Sequence, residues 1–162
     1  MREDQVKSFI ESNLPKIVLA CAGSVYPDPF KSEVKIHKEY ILDLPIVGHQ
    51  LVCTDKAQIL SFIVMELNSF LAIGRKMFPE MARNESVKML VSANSEILNT
   101  INSKLAFILS KVEGKGGAVI TPPVVMNYSG EHKMAVNCPD SIFLRCQSKD
   151  FAFDFITTIQ LI

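Results

Sequence analysis

The stretch ESVKMLVSANSEILNTINSKLAFILSKV, from Glu85 to Val112, holds neither Gly nor Pro, and its reading decides the fold. Val87, Leu90, Val91, Leu98, Ile101, Leu105, Ile108 and Val112 recur at the three-and-four spacing that gathers apolar side chains on one stripe of an α-helix. The spacing predicts one long helix with that stripe buried. The other side reads Ser92, Ser95, Glu96, Asn99, Asn102 and Ser103. Glu96 and Asn99 stand at i and i+3, so their side chains emerge side by side. A solvated helix face ordinarily carries many Lys and Glu. Small hydroxyls and amides around one carboxylate suit a surface that a partner covers.

The chain around this helix has 162 residues, 48% of them apolar, which suits a single domain over 1–162 with a sizeable core. Seventeen basic residues balance seventeen acidic ones and no basic cluster stands out, which disfavours nucleic acid and anionic membranes as partners. No apolar run reaches the length of a membrane span, and the opening MREDQVKSF is too charged for a secretion signal, so the expected location is the cytoplasm. Cys21, Cys53, Cys138 and Cys146 lie far apart, with no CxxC pair and no His at zinc-ligand spacing. They read as reduced thiols packed as small hydrophobes, with no metal site.

Upstream, Val6, Phe9, Ile10, Leu14, Ile17, Val18 and Cys21 keep helical spacing from Glu3 to Ala22, and Pro15 is expected to bend or divide that helix. SVYPDPFKS reads as a loop. Glu33 to Leu42 reads as an edge strand, and His49–Thr54 and Ala57–Met65 read as a hairpin about Asp55-Lys56. Asn68 or Ser69 is placed to cap a short helix that runs through Phe78 and stops at Pro79. Downstream, GKGG at 114–117 turns into AVIT, Pro122-Pro123 stiffens the start of VVM, and the NYSGE, CPD and QSKD clusters separate strands at Lys133–Cys138, Ile142–Cys146 and Phe151–Leu161. The last of these shows the period of two expected of a half-buried strand. The expected fold class is α+β: two long helices and a short one against a mainly antiparallel sheet. Its helix-then-strands order occurs twice, like a duplication.

Other candidates for chemistry have simpler explanations. GKGG lacks the strand-loop-helix setting and the Lys-Ser/Thr of a phosphate loop, and reads as a turn. His37, His49 and His132 have no nucleophile partner, and Glu33, Asp28, Asp43 and Asp55 lie near turns, where solvation accounts for them.

Glu96 and Asn99 differ because their context also fits. Twenty-two residues separate Asn99 from Pro122, where a strand begins. E-x2-N-x22-P, with a long helix before a Pro-led strand, resembles the signature of the CheC/CheX/FliY family of chemotaxis phosphatases. The likeness extends to the leading helix, the LSF of the hairpin's second arm (Leu60 to Phe62), the KMF ending the short helix (Lys76 to Phe78) and the closing strands, so it covers nearly the whole chain. The first helix reads Glu11-Ser12-Asn13-Leu14, with Leu where a second motif needs Asn, which resembles the one-motif CheX branch. Family helices typically carry Gly before the Glu, Ala at the position of Leu98 and a GNA run after the Asn. This chain has Ser95, Leu98 and then Asn102-Ser103-Lys104.

The resemblance implies a CheC-like fold and hydrolysis of the aspartyl phosphate on a CheY-type response regulator. Such hydrolysis needs a water held in line with the bond that breaks, so positioning outweighs covalent chemistry. A neutral amide such as Asn99 can donate to a phosphoryl oxygen or accept from the water without bringing negative charge to the phosphate. Glu96 repels phosphate and suits a cation; the family precedent is a salt bridge to the regulator's active-site Lys. Asn99 and Glu96 are thus the expected catalytic pair, with Ser92, Ser95, Asn102 and Ser103 as partner-binding footprint. The implied Mg2+ belongs to the regulator, so no cofactor of the chain's own is expected. A homodimer paired through strand edges is expected too. Two rivals stay open: a non-catalytic CheC-like or flagellar-switch-like scaffold domain, and a small-molecule-binding domain with an apolar pocket lined by the closing strands.

Overall fold

The predicted long helix exists as α3 (Val87–Glu113), and it lies across one face of a seven-stranded sheet. The computed structural model describes residues 3–25, 31–42, 45–79, 87–113, 117–127 and 134–162. Leu90, Ile97, Leu98, Ile101, Leu105 and Leu109 of α3 are buried in the main core. Each such side chain taken from water contributes roughly 1.5–3 kcal/mol before entropy is counted. The stripe begins one turn later than the periodicity implies: Val87 is 70% exposed and Val91 only half-buried.

Two further helices pack beside α3: α1 (Glu3–Val25) and α2 (Leu67–Met77). α1 runs through Pro15 without being divided, and its buried Ile10, Leu14, Ile17, Val18 and Cys21 join the main core on both sides of the proline. In α2 the expected cap is absent. Glu66 stands at the cap position with no side-chain bond to the helix, and Ser69 Oγ instead accepts the backbone N–H of Ala152, 3.1 Å away, tying the helix to a distant strand. At the other end Phe78 N–H donates to the Gly74 carbonyl just before Pro79, so α2 stops where expected. Gly74 is also where α2 meets α3: a Cβ there would overlap Leu90.

The strands are β1 (Lys31–Leu42), β2 (Ile46–Cys53), β3 (Ala57–Met65), β4 (Val119–Ile120), β5 (Val124–Asn127), β6 (Met134–Gln147) and β7 (Ala152–Leu161). Their order is β1-β6-β7-β3-β2-β4, with β5 also on β2, and every pairing is antiparallel. β1 is an edge strand, as expected. β2 and β3 form the expected hairpin, although β2 begins at Ile46 rather than His49. Gly48 hides that start from a sequence reading: a Cβ there would come within 2.8 Å of Ile63 Cγ2 and 3.6 Å of Leu98 Cδ2, so the glycine lets α3 approach the sheet. The turn closes with Thr54 N–H donating to the Ala57 carbonyl at 2.8 Å.

Two expectations for the last strands are corrected. CPD does not separate two strands; β6 runs on through it, and the pairing with β1 slips between His37 and Glu39, opposite residues 138–140. A slip is where a strand tolerates Pro139, which has no N–H to give to the ladder. β7 is buried on both faces, not one, because the main core covers one side and side chains including Val47, Phe62, Val64 and Phe143 pack on the other: Phe153, Phe155, Thr157 and Ile159 alternate with Asp154, Ile156 and Thr158, all buried. The sheet's other face carries a small second cluster of Val47, Phe62, Val64, Phe143 and Ile156.

The expected duplication is visible in the pairing. If β4 and β5 are taken together as one interrupted strand, the first strand of each helix-led half pairs with the second strand of the other half, β1 on β6 and β4–β5 on β2, and the last strands, β3 and β7, meet at the centre. The predicted turns at 114–116 and 128–131, the start of the helix at 85–86, and Asp28, Asp43, His132 and Lys133 lie outside the described residues.

Candidate functional site

The polar row of α3 is largely where the sequence places it. Ser92, Glu96 and Ser103 are exposed, Ser95 and Asn99 are half-buried, and the Ser92 hydroxyl donates to the Lys88 carbonyl of its own helix. Glu96 and Asn99 are therefore presented together, one turn apart, from a helix whose opposite side is anchored in the core. Asn102 is the exception and a correction. It is 0% exposed, so it belongs to the interior and not to a partner's footprint.

Beneath Asn99 lies a chain of polar side chains that is not evident from the sequence. Gln50 of β2 and Ser61 of β3 are cross-strand partners on the helix-facing side of the sheet, and both are fully buried. Ser61 Oγ donates to Asn102 Oδ1 at 2.8 Å, and Asn102 Nδ2 donates to Gln50 Oε1 at 2.9 Å. Gln50 Nε2 then donates twice, to the Thr121 carbonyl at 2.8 Å and to Asn99 Oδ1 at 3.1 Å. A buried amide or hydroxyl left without such partners costs about 1–3 kcal/mol, and these three satisfy one another.

The motif's proline has a place in this arrangement. β4 and β5 both lie on β2, and the Thr121-Pro122-Pro123 segment between them leaves the ladder beside Gln50 and Leu51. Thr121 is clamped there: its N–H donates to the Leu51 carbonyl at 3.0 Å, and its Oγ1 accepts the Leu51 N–H at 3.1 Å. Pro122 restricts Thr121 to an extended conformation and has no N–H of its own, so the Thr121 carbonyl can turn to the Gln50 side chain.

The remaining candidates stand apart from this site. Burial pushes the Cys146 thiol up to about 12, with Asp154 adding to the rise, and burial raises Cys21 as well, against a partial opposing effect of Lys104. His49 lies near Phe62, with ring centroids 6.3 Å apart. An apolar groove of about 290 Å³ lies between α2, the start of α3, and strands β2 and β5, lined by residues that include Leu67, Phe70, Leu90 and Val125. No residue of the closing strands β6 and β7 is among those lining it. Among the described residues no group of three His, Cys, Asp or Glu is placed to hold a metal ion, and no helix is long and apolar enough to cross a membrane.

No protein-family model and no curated protein matches the sequence. Solved structures do match. The chemotaxis protein CheX from Desulfovibrio desulfuricans superposes with a TM-score of 0.77 at 12% identity, over 93% of this chain and 99% of that one. A CheC-like superfamily protein from Shewanella sp. PV-4 gives 0.75 at 16% identity, over 99% of both chains. A chain of the CheX–CheY–BeF3–Mg2+ complex from Borrelia burgdorferi gives 0.60 at 14% identity, over 91% of this chain and 97% of that one. At such identities it is the architecture that is shared: an α+β chain with the CheC-like fold of the CheX proteins.

Proposed function

We propose that this protein hydrolyses the aspartyl phosphate of a CheY-type response regulator by inserting Glu96 and Asn99 of α3 into the regulator's phosphorylated pocket. The observation that carries the reading is an exposed carboxylate, Glu96, one turn from a half-buried amide, Asn99, on the same helix of a chain with the fold of CheX. The Borrelia burgdorferi complex adds that a protein of this fold binds a CheY.

In the reaction, water adds to phosphorus as the bond to the aspartyl oxygen breaks. The products are inorganic phosphate and the regenerated carboxylate, and the proton of the water passes to the phosphate. Asn99 holds the water or a phosphoryl oxygen in line, which lowers the barrier chiefly by orientation. Glu96 pairs with the regulator's active-site Lys and fixes the register of docking. Ser92, Ser95 and Ser103 form the uncharged contact around the pair. The Mg2+ is the regulator's own, so the chain brings side chains and no cofactor. A regulator partner places the protein in the cytoplasm, and the open side of an edge strand is the surface through which two copies form a symmetric dimer. A monomer in sedimentation at micromolar concentration contradicts the dimer.

The test is the lifetime of the regulator's phosphate, measured alone, with the protein and with Asn99→Ala. Shortening by the protein and not by Asn99→Ala supports the reading. An unchanged lifetime in a mixture where the two proteins bind identifies a scaffold and overturns it.

A further inference from the structure

We propose that Gln50 is a positioning residue that sets which end of the Asn99 amide faces the partner. This rests on the reading of Asn99 as the catalytic amide. The orientation follows from one group that has no alternative. The backbone carbonyl of Thr121 can only accept, so the Gln50 side-chain atom 2.8 Å from it is the amide nitrogen. That nitrogen also lies 3.1 Å from Asn99, so the Asn99 atom facing it is the oxygen. Gln50 Oε1 is then the acceptor for Asn102 Nδ2 at 2.9 Å, and Asn102 Oδ1 the acceptor for Ser61 Oγ at 2.8 Å. Every step has a single assignment of donor and acceptor. The consequence at the surface is that the Asn99 NH2 is turned outward, so the partner meets two N–H donors, the end suited to phosphoryl oxygens.

Without that bond the amide of a half-buried Asn is free to rotate about its last torsion, and half of its two-fold positions offer an oxygen to an anionic group. Gln50 therefore removes an unproductive orientation before the partner arrives, which is preorganisation of the kind that raises turnover more than affinity. The same chain explains the proline in the motif: Pro122 acts through the Thr121 carbonyl, Thr121 through Gln50, and Gln50 through Asn99.

Two isosteric variants test this. Gln50→Met removes both donors, and Gln50→Glu places an acceptor where Thr121 and Asn99 require a donor, so the Asn99 amide reverses. Each is expected to lower the turnover of regulator dephosphorylation about 10- to 100-fold. Affinity for the phosphorylated regulator should stay within about three-fold. Adding either to Asn99→Ala should slow the reaction no further, a non-additivity that general loosening of the fold does not produce. Wild-type turnover in a folded Gln50 variant overturns the proposal even if Asn99→Ala is inactive, whereas an inactive wild type overturns the functional reading instead. Hydrogen exchange of the side-chain amides in the unsubstituted protein decides the orientation whatever the variants do. Slow Gln50 and fast Asn99 NH2 protons are expected; protected Asn99 protons would overturn it.

Discussion

The two helix-led halves share a plan but not a lining. Burial runs in phase when Leu14, Ile17, Cys21 and Ala22 of α1 are set against Leu98, Ile101, Leu105 and Ala106 of α3. That correspondence puts Ser12 where α3 has Glu96, Pro15 where it has Asn99, and Val18 where it has Asn102. In the sheet, Ser61 and Thr157 pair across the centre, so Gln50, the partner of Ser61, corresponds to Ile142, the partner of Thr157. One half joins Asn99, Gln50, Asn102 and Ser61 into a bonded chain; the corresponding positions of the other hold Pro15, Ile142, Val18 and Thr157. Thr157 is left over, its buried hydroxyl without a hydrogen-bond partner among the described residues. The comparison teaches that the motif is more than two surface residues. A polar chain through the sheet lies beneath Asn99, and the corresponding positions under α1 carry no such chain among the described residues.

The largest effect expected from breaking this asymmetry is Asn99→Ala, which should slow stimulated phosphate release about 100-fold or more while weakening binding modestly, as read from regulator-phosphate decay. Glu96→Ala should come next, with roughly ten-fold losses in both affinity and rate that shrink as salt is added, because an exposed ion pair is screened. A pH-dependent stability effect marks the apolar half. The raised Cys146 thiol stays protonated in the fold while the unfolded chain ionises above pH 9, so stability should fall as pH rises from about 9 towards 12, by at most about 1.4 kcal/mol per unit. Urea unfolding of the protein and of Cys146→Ala should diverge over that window and not below it. Thr157→Val removes an unpartnered hydroxyl and should leave stability unchanged or raise it by about 1 kcal/mol in the same assay. The smallest effect sharpens the comparison most: Ser12→Glu with Pro15→Asn, placed in the Asn99→Ala protein, should restore no activity, because Ile142 has no amide to orient the new Asn. Recovery of phosphate release would show that the support is dispensable.

Much of this was legible in the sequence, and the failures have physical causes. The placement of Glu96 and Asn99 one turn apart on a helix is legible because an i, i+3 pair on a Gly-free, Pro-free helix has one geometry. Asn102 was misplaced by its polarity. It lies four residues after Leu98 and three before Leu105, so periodicity alone sets it on the buried stripe. Gln50 could not be weighed on its own, since its partners lie 49, 52 and 71 residues away. The available signal was parity, which puts Gln50 with Gly48 and Val52 on the inward face, opposite another polar residue, Ser61. Glu11 and Leu14 imitate the motif's spacing, but by burial Leu14 occupies the place of Leu98, one residue short of Asn99. The continuity of β6 through CPD is hidden because a Pro in a strand ordinarily signals its end, and the pairing slip against β1 shows how it is accommodated.

The most direct measurement follows the side-chain NH2 resonances of Asn99 in 15N-edited spectra while a CheY-type regulator is added and phosphorylated with a small acyl phosphate. The account predicts a large shift at Asn99 on phosphorylation, with neighbouring shifts at Ser92, Ser95 and Ser103 and none along α1. Binding that leaves the Asn99 NH2 unmoved, or that shifts α1 instead, contradicts it.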